Sequence, residues 1–273
     1  MVLFPNAKIN LGLNVLSRRP DGYHTIQSVF IPVELADILE VVPLDDGAPY
    51  FFQKTGIPVG GAARENLVVK ALEQVRNEFD LPSVRIHLHK CIPPGSGLGG
   101  GSSDGAAMVM ALDRIFDLKM SRERIRAHLL RLGSDCTFFL ENTPCLIGGV
   151  GDRVRPIALD VLSGLWLVLV IPDLHISTAR AYSRVQPNPH QDDLEERVRQ
   201  PVHAWRNAIS NDFETFVFED HPFLGDLKAT MYERGAIYAS LSGSGSAVYG
   251  LFNQRLDLKG EFHGMRIWQG QVR

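Results

Sequence analysis

The chain has 273 residues, enough for one large domain or two ordinary ones with a sizeable core. Hydrophobic residues make up 45% and charged residues 22%, ordinary for a soluble globular protein, and the net charge of -3 lacks the basic excess of a nucleic-acid binder. Cys91, Cys136 and Cys145 form no CxxC pair, which argues against a disulfide framework or a zinc knuckle and fits small buried hydrophobes in a reducing compartment.

No charged leader followed by a long apolar stretch opens the chain. The strongly apolar run "LWLVLVI", 165–171, is too short to span a bilayer, so the chain reads as cytoplasmic, with no membrane partner.

In chain order, "AKINLGLNV", 7–15, alternates with period two. Ile9, Leu11, Leu13 and Val15 fall on one face and Lys8, Asn10, Gly12 and Asn14 on the other, as in a half-buried strand. "RRPDGYH", 18–24, carries turn chemistry, and "TIQSVFIPVEL" and "DILEVVPL" read as strands. Residues 45–65 read as loop and short hairpin. "ENLVVKALEQVRNEFDL", 65–81, has helical apolar spacing, and "VRIHLHK", 84–90, alternates again.

"PPGSGLGGGSSDGAA", 93–107, follows. The next segment, 103–118, reads as a helix capped by Ser102, Ser103 or Asp104, and 121–133 as a second helix with Ser121 as cap and Gly133 at its end. A strand is expected at 165–171. "PNPHQDDLEERVRQP", 187–201, reads as a mobile polar surface segment. Helices are expected near 202–218 and 222–234, then two strands about a Gly-Ser turn in 236–252. Strands and helices mix without regular βαβ alternation, which favours α+β over a doubly wound sheet.

Five of the seven residues from Gly95 to Gly101 are glycine, placed between a clean strand and a clean helix, where a flexible linker makes little sense. Gly95, Gly97 and Gly100 fit G-x-G-x-x-G, but the connection is too long and no acidic residue follows at the required distance on a strand. A P-loop needs Gly-Lys-Ser/Thr, and no lysine lies between Lys90 and Lys119; a protein-kinase loop fails because H-R-D and D-F-G are missing. A broader anion cradle remains: backbone N–H groups freed of side chains, the start of a helix, and the hydroxyls of Ser96, Ser102 and Ser103.

Other positions admit a bland and a chemical reading. Lys8 and Asn10 share a strand face, where a lysine is usually just solvated. Asp135, in "GSDCTFF", suits an ordinary turn cap. Tyr23 suits plain packing. His87 and His89 form H-x-H with no third ligand in reach, so two outward-facing histidines are favoured over a metal site.

"PPGSGLGGGSSDGAA" resembles the second motif of the GHMP small-molecule kinases, and "LSGSGSAVYGLF", 241–252, their third. "PNAKINLGLNVLSRRPDGYHTIQSVF", 5–30, and "SNDFE", 210–214, resemble the branch acting on a cytidine diphosphate-linked methylerythritol in non-mevalonate isoprenoid biosynthesis. The resemblance runs from residue 5 to about 252. It implies an α+β fold in two lobes. An ATP-binding N-terminal domain, 1–155, would be like ribosomal-S5 domain 2. A C-terminal substrate domain, 156–273, would be ferredoxin-like, with room for the last residues to return to the first lobe.

It further implies Lys8 and Asp135 as catalytic residues, Asp135 being the general base. In "GSDCTFF" Ser134, Cys136 and Thr137 replace the family's Ala, Val and Pro, while Gly133, Asp135, Phe138 and Phe139 stand. ATP would lie on Pro93, Pro94, Gly95, Ser96, Gly97, Leu98, Gly99, Gly100, Gly101, Ser102 and Ser103, with Asn66 and Lys90 at the adenosine. Asn10, Tyr23, His24, Thr178 and Tyr182 would bind substrate, Tyr23 stacking on the cytosine, His24 bonding its edge and Tyr182 closing its other face. The GSGS turn, 242–245, is expected against the glycine loop. Mg²⁺ would arrive with ATP, met by Ser102 or Ser103, with no dedicated protein carboxylate. The partner is a small molecule, and both a monomer and a weak homodimer stay open.

Overall fold

The computed structural model describes residues 1–44, 50–190, 193–258 and 260–272. Its strands are β1 (Val2–Leu3), β2 (Asn6–Arg18), β3 (His24–Ala36), β4 (Ile38–Leu44), β5 (Tyr50–Gly56), β6 (Ser83–Lys90), β7 (Cys145–Gly148), β8 (Arg153–Pro156), β9 (Trp166–Ile171), β10 (Tyr238–Leu241), β11 (Val248–Phe252) and β12 (Arg266–Gln271). Its helices are α1 (Leu67–Arg76), α2 (Gly100–Ile115), α3 (Arg122–Leu132), α4 (Phe138–Glu141), α5 (Thr178–Arg184), α6 (Leu194–Val198), α7 (Trp205–Ala208), α8 (Glu214–Asp220) and α9 (Pro222–Glu233). The mixture is α+β, as the order of elements suggests.

Two compact units divide the chain, and neither is one continuous stretch. The first is Met1–Ala7, Glu34–Pro94 and Gly99–Asn142; the second is Lys8–Val33, Gly95–Leu98 and Thr143–Arg273. The long strands β2 and β3 pass from one to the other, and the glycine loop is shared between them.

The first unit holds the sheet β1-β4-β6-β5. Leu39 and Val41 pair with Leu88 and Ile86, and α1 and α2 pack together to close this core with Val68, Leu72, Val109 and Leu112, all buried. Residues 50–56 are not a hairpin: β5 runs parallel to β6, Phe52 beside Ile86. Parallel pairing joins strands distant in sequence, so local turn signals do not announce it. Residues 45–49 of the expected loop lie outside the described residues.

The helix expected from 103 starts three residues earlier. Gly99, at φ 71, takes the cap position without a side-chain cap, and Ser103 and Asp104 are buried inside α2 instead of capping it. α3 follows its sequence signals: the Ser121 side chain accepts the Arg124 N–H, and Gly133 stands at the C-cap.

The second unit holds two sheets, β2-β3-β7-β8 and β10-β11-β9-β12. β12 pairs antiparallel with β9, Trp268 opposite Leu169, so the last residues join this sheet and do not return to the first. The expected mobile segment is also corrected. Within 187–201, α6 buries Leu194 and Val198, and the Leu194 N–H donates to Gln27 Oε1 at 2.9 Å. The charges of "EER" between those two residues hide an i,i+4 apolar pair. Gln191 and Asp192 lie outside the described residues.

Candidate active site

β2 is not half-buried. Lys8, Asn10 and Asn14 are 3%, 1% and 3% exposed, so its polar face is enclosed as fully as its apolar one. A buried ammonium must find partners to offset lost hydration. Lys8 Nζ donates to Asn10 Oδ1 at 2.6 Å and sits 4.2 Å from the centre of the Phe30 ring. Asn10 Nδ2 donates to Ser28 Oγ at 3.0 Å, and Ser28 Oγ donates to the Gly12 carbonyl at 2.6 Å.

Sequence reasoning missed Ser28 and Phe30. Their signal was available: on β3 they lie two apart, the spacing of one face of an antiparallel ladder opposite Lys8 and Asn10.

The Gly95–Leu98 stretch of the glycine loop lies against this strand. The Lys8 N–H donates to the Leu98 carbonyl at 2.9 Å. Gly97 has φ 84, and a Cβ there would stand 1.9 Å from the Ser242 carbonyl oxygen, so only glycine fits. The Ala247 N–H donates to the Ser96 carbonyl at 3.0 Å. The GSGS turn thus packs on the loop, as expected.

Tyr23 stands 66% exposed on its turn, its N–H donating to Asp21 Oδ1 at 3.1 Å. Tyr182 comes to the same place from α5: its ring stacks on His24 at 5.2 Å and meets Phe213 edge-on at 4.9 Å. Burial, then the Arg18 charge, holds the His24 imidazole below its usual pKa, which favours the neutral ring that can both donate and accept. Thr178 Oγ1 accepts from Ser244 Oγ at 3.0 Å, so α5 is tied to the GSGS turn.

In the first unit, Asp135 follows Gly133 in a short 3-10 turn, Ser134–Thr137, that packs on α2. Thr137 Oγ1 donates to the Ser134 carbonyl at 2.9 Å. Cys136, beside Asp135, meets Ser102 of α2; burial pushes its thiol up to about 12, so it is not a thiolate nucleophile.

Lys90 and Asn66, implied as adenosine contacts, are otherwise engaged. Lys90 is 5% exposed and its ammonium is held by Asp37 and, at 2.7 Å, by Asp104. Its side chain anchors the base of the loop. Asp37 Oδ1 also accepts the Ile92 N–H at 2.8 Å. Asn66 caps α1, its Oδ1 accepting from Val68 N at 2.9 Å. His87 and His89 share Thr55 Oγ1, at 2.8 and 2.9 Å.

The family description "GHMP kinases N terminal domain" matches residues 66–142, and "GHMP kinases C terminal" matches 193–260. A 4-diphosphocytidyl-2-C-methyl-D-erythritol kinase of Bacteroides fragilis (strain YCH46) is 46% identical over 254 residues, 93% of this chain and 92% of the relative. One of Parabacteroides distasonis is 44% identical over 274 residues, 100% of both chains. The chain belongs to the 4-diphosphocytidyl-2-C-methyl-D-erythritol kinase family.

A crystal structure of a 4-(cytidine 5'-diphospho)-2C-methyl-D-erythritol kinase superposes with a TM-score of 0.78 at 34% identity, covering 92% of this chain and 90% of that one. The mevalonate kinase of Methanococcus jannaschii, at 14% identity and a TM-score of 0.68 over 100% of this chain and 98% of its own, shares the fold. Within the 4-diphosphocytidyl-2-C-methyl-D-erythritol kinase family, this chain carries the glycine loop on two compact units, with Lys8 and Asn10 buried against one part of it.

Proposed function

We propose that this chain transfers the γ-phosphoryl group of ATP to the 2-hydroxyl of 4-diphosphocytidyl-2-C-methyl-D-erythritol, on the non-mevalonate route to isoprenoid precursors. It is a small-molecule kinase acting in the cytoplasm, with residues 1–155 as its ATP-binding domain and 156–273 as its substrate domain. The observation that carries the reading is the buried Lys8 ammonium, tied to Asn10 and joined through its backbone to Leu98 of the glycine loop. A cation kept out of water there is worth far more to a phosphoryl group than a solvated one.

Phosphoryl transfer passes through a loose transition state, so positioning and charge stabilisation matter more than a strong base. Asp135 orients the 2-hydroxyl and takes its proton as the oxygen–phosphorus bond forms. The bond to the β–γ bridging oxygen breaks and ADP leaves. Lys8 stabilises the charge on the transferred group, and Asn10 holds Lys8 and contacts the acceptor.

The loop from Pro93 to Ser103 cradles the phosphates with backbone N–H groups. Tyr23, His24 and Tyr182 receive the cytosine, with Thr178 near the sugar and phosphate. No group of three or more His, Cys, Asp or Glu side chains suited to a metal occurs among the described residues. In this reading Mg²⁺ comes with ATP and supplies charge neutralisation, and the Ser102 or Ser103 hydroxyl would meet it.

The test offers the purified chain Mg²⁺ and ATP with 4-diphosphocytidyl-methylerythritol, mevalonate and homoserine in separate reactions, and reads the products by ³¹P NMR. A new phosphomonoester with the cytidylated acceptor alone is expected. Transfer to another acceptor would overturn the roles of Tyr23 and His24 and keep those of the loop and Asp135. ATP binding without transfer to any acceptor would overturn the kinase reading.

A further inference from the structure

The segment "SNDFE", 210–214, takes no direct part in the chemistry above, yet its Asn211 side chain is spent on the backbone of the GSGS turn that packs on the glycine loop. Asn211 is 2% exposed. Its Nδ2 donates twice, to the Leu241 carbonyl at 2.9 Å and to the Gly243 carbonyl at 2.8 Å, and its Oδ1 accepts the Phe213 N–H at 3.0 Å. Those partners dictate the orientation of the amide, since two acceptors need the NH₂ group and one donor needs the oxygen.

The two carbonyls flank Ser242. The Ser242 hydroxyl, fully buried, accepts the Asn10 N–H at 3.3 Å and donates to the Gly97 carbonyl at 3.1 Å. One hydroxyl therefore bridges the strand that carries Lys8 and the loop that cradles phosphate, and one amide fixes the backbone on both sides of it. Further contacts hold the same place. A Cβ on Gly245 would stand 2.0 Å from Gly97 N, and Tyr249 Oη donates to the Asn10 carbonyl at 2.9 Å. The 210–212 backbone is itself pinned to β2, with Leu13 N–H donating to the Ser210 carbonyl and Asp212 N–H to the Leu13 carbonyl.

We propose that Asn211 is a positioning residue: by pinning the carbonyls of Leu241 and Gly243 it sets the Ser242 hydroxyl, which holds Lys8 and Asn10 in register with Gly97 for nucleotide phosphates. The inference rests on the kinase reading for what the loop binds, but not on the identity of the acceptor. Asn211 touches neither substrate in this account and acts only through Ser242.

The test compares wild type with Asn211→Asp and Ser242→Ala. Asn211→Asp keeps the acceptor for Phe213 and turns both donated bonds into oxygen–oxygen repulsion. Ser242→Ala deletes one oxygen from the interior and stays measurable if the first variant does not fold. ADP affinity is read by calorimetry, KM is read separately for ATP and for the acceptor, and thermal unfolding is followed alongside.

Loss of the bridge takes the partner from the buried Asn10 N–H and from the half-buried Gly97 carbonyl, so ADP affinity and the KM for ATP should weaken by about tenfold or more. The acceptor KM, which reads the bridge only through Asn10, should rise less than that for ATP at temperatures where the variant is folded, a split that general destabilisation would not produce. Wild-type ADP affinity and ATP KM in folded Ser242→Ala would overturn this inference and leave the kinase reading intact. A wild-type chain that binds ADP but phosphorylates no acceptor would overturn the kinase reading, and the ADP affinities of the variants would still decide this one.

Discussion

A lysine on the polar face of an alternating strand is ordinarily solvated; Lys8 is instead enclosed by Asn10 and the Phe30 ring. Two predictions belong at the scale of single side chains. If Asp135 accepts the hydroxyl proton, Asp135→Asn keeps the shape of the turn and removes the base. kcat should fall by roughly 10²–10⁴-fold, with little change in the KM for ATP. Steady-state kinetics check this, and wild-type turnover would end the assignment.

Tyr23 is exposed on a turn, away from the core. Tyr23→Ala should therefore raise the KM for the cytidylated acceptor while leaving that for ATP near its wild-type value. Equal effects on both would refute stacking on the base. The pattern at Lys8 and Asn10 was legible from the period-two alternation. Their burial was not, because it depends on which strand covers the polar face.

Between elements, the Lys90 cluster joins the end of β6, the residue between β3 and β4, and the first turns of α2. Two carboxylates share one ammonium there, and Asp104 Oδ1 is buried without a hydrogen-bond partner. Burial would lower the Lys90 ammonium, but Asp104 and Asp37 outweigh it and raise it. Burial pushes the Asp104 carboxyl up to about 7; Lys90 opposes that rise and Asp37 adds to it.

A carboxyl raised on folding holds a proton that the unfolded chain has already released, so its contribution to stability falls as pH rises from about 4 to about 7 and stays low above that. Asp104→Asn supplies a neutral amide in the same place. The Tm of the variant minus that of wild type should therefore grow between about pH 5 and pH 8, as scanning calorimetry at the two pH values would show. A constant difference would mean that Asp104 is ionised throughout.

The caps tell a similar story about what is local. Ser121 and the helix it starts were readable because a cap bond spans three residues. The true start of α2 was not, because Gly99 supplies a left-handed backbone and no side chain to signal a cap.

For the molecule as a whole, two units built from interleaved stretches of chain explain why no linker is visible in the sequence: the chain passes between them within β2, within β3, twice around the glycine loop and once more after Asn142. No described helix is long and apolar enough to cross a membrane. If Mg²⁺ arrives with ATP and is not a resident of the fold, EDTA should abolish turnover and leave the Tm of the nucleotide-free chain unchanged. A Tm that falls on chelation would reveal a structural ion. MgATP at a hundredfold excess over its Kd should raise stability by about 2.7 kcal/mol through mass action, an upward Tm shift that EDTA would remove.

Short-range patterns determined much of this protein by themselves. The alternation of β2, β6 and β9, the cap of α3, the glycine loop between strand and helix, and the motifs that mark the family are all written within a few residues of each other. Tertiary structure alone decided the parallel seat of β5, the docking of α6, the return of β12 to β9, and the enclosure of Lys90 by Asp37 and Asp104. It also decided the bridge from Asn211 through Ser242 to Asn10 and Gly97. Each of these joins residues far apart in the chain, where the free energy comes from burying or pairing groups against a partner. No local pattern encodes the identity of that partner.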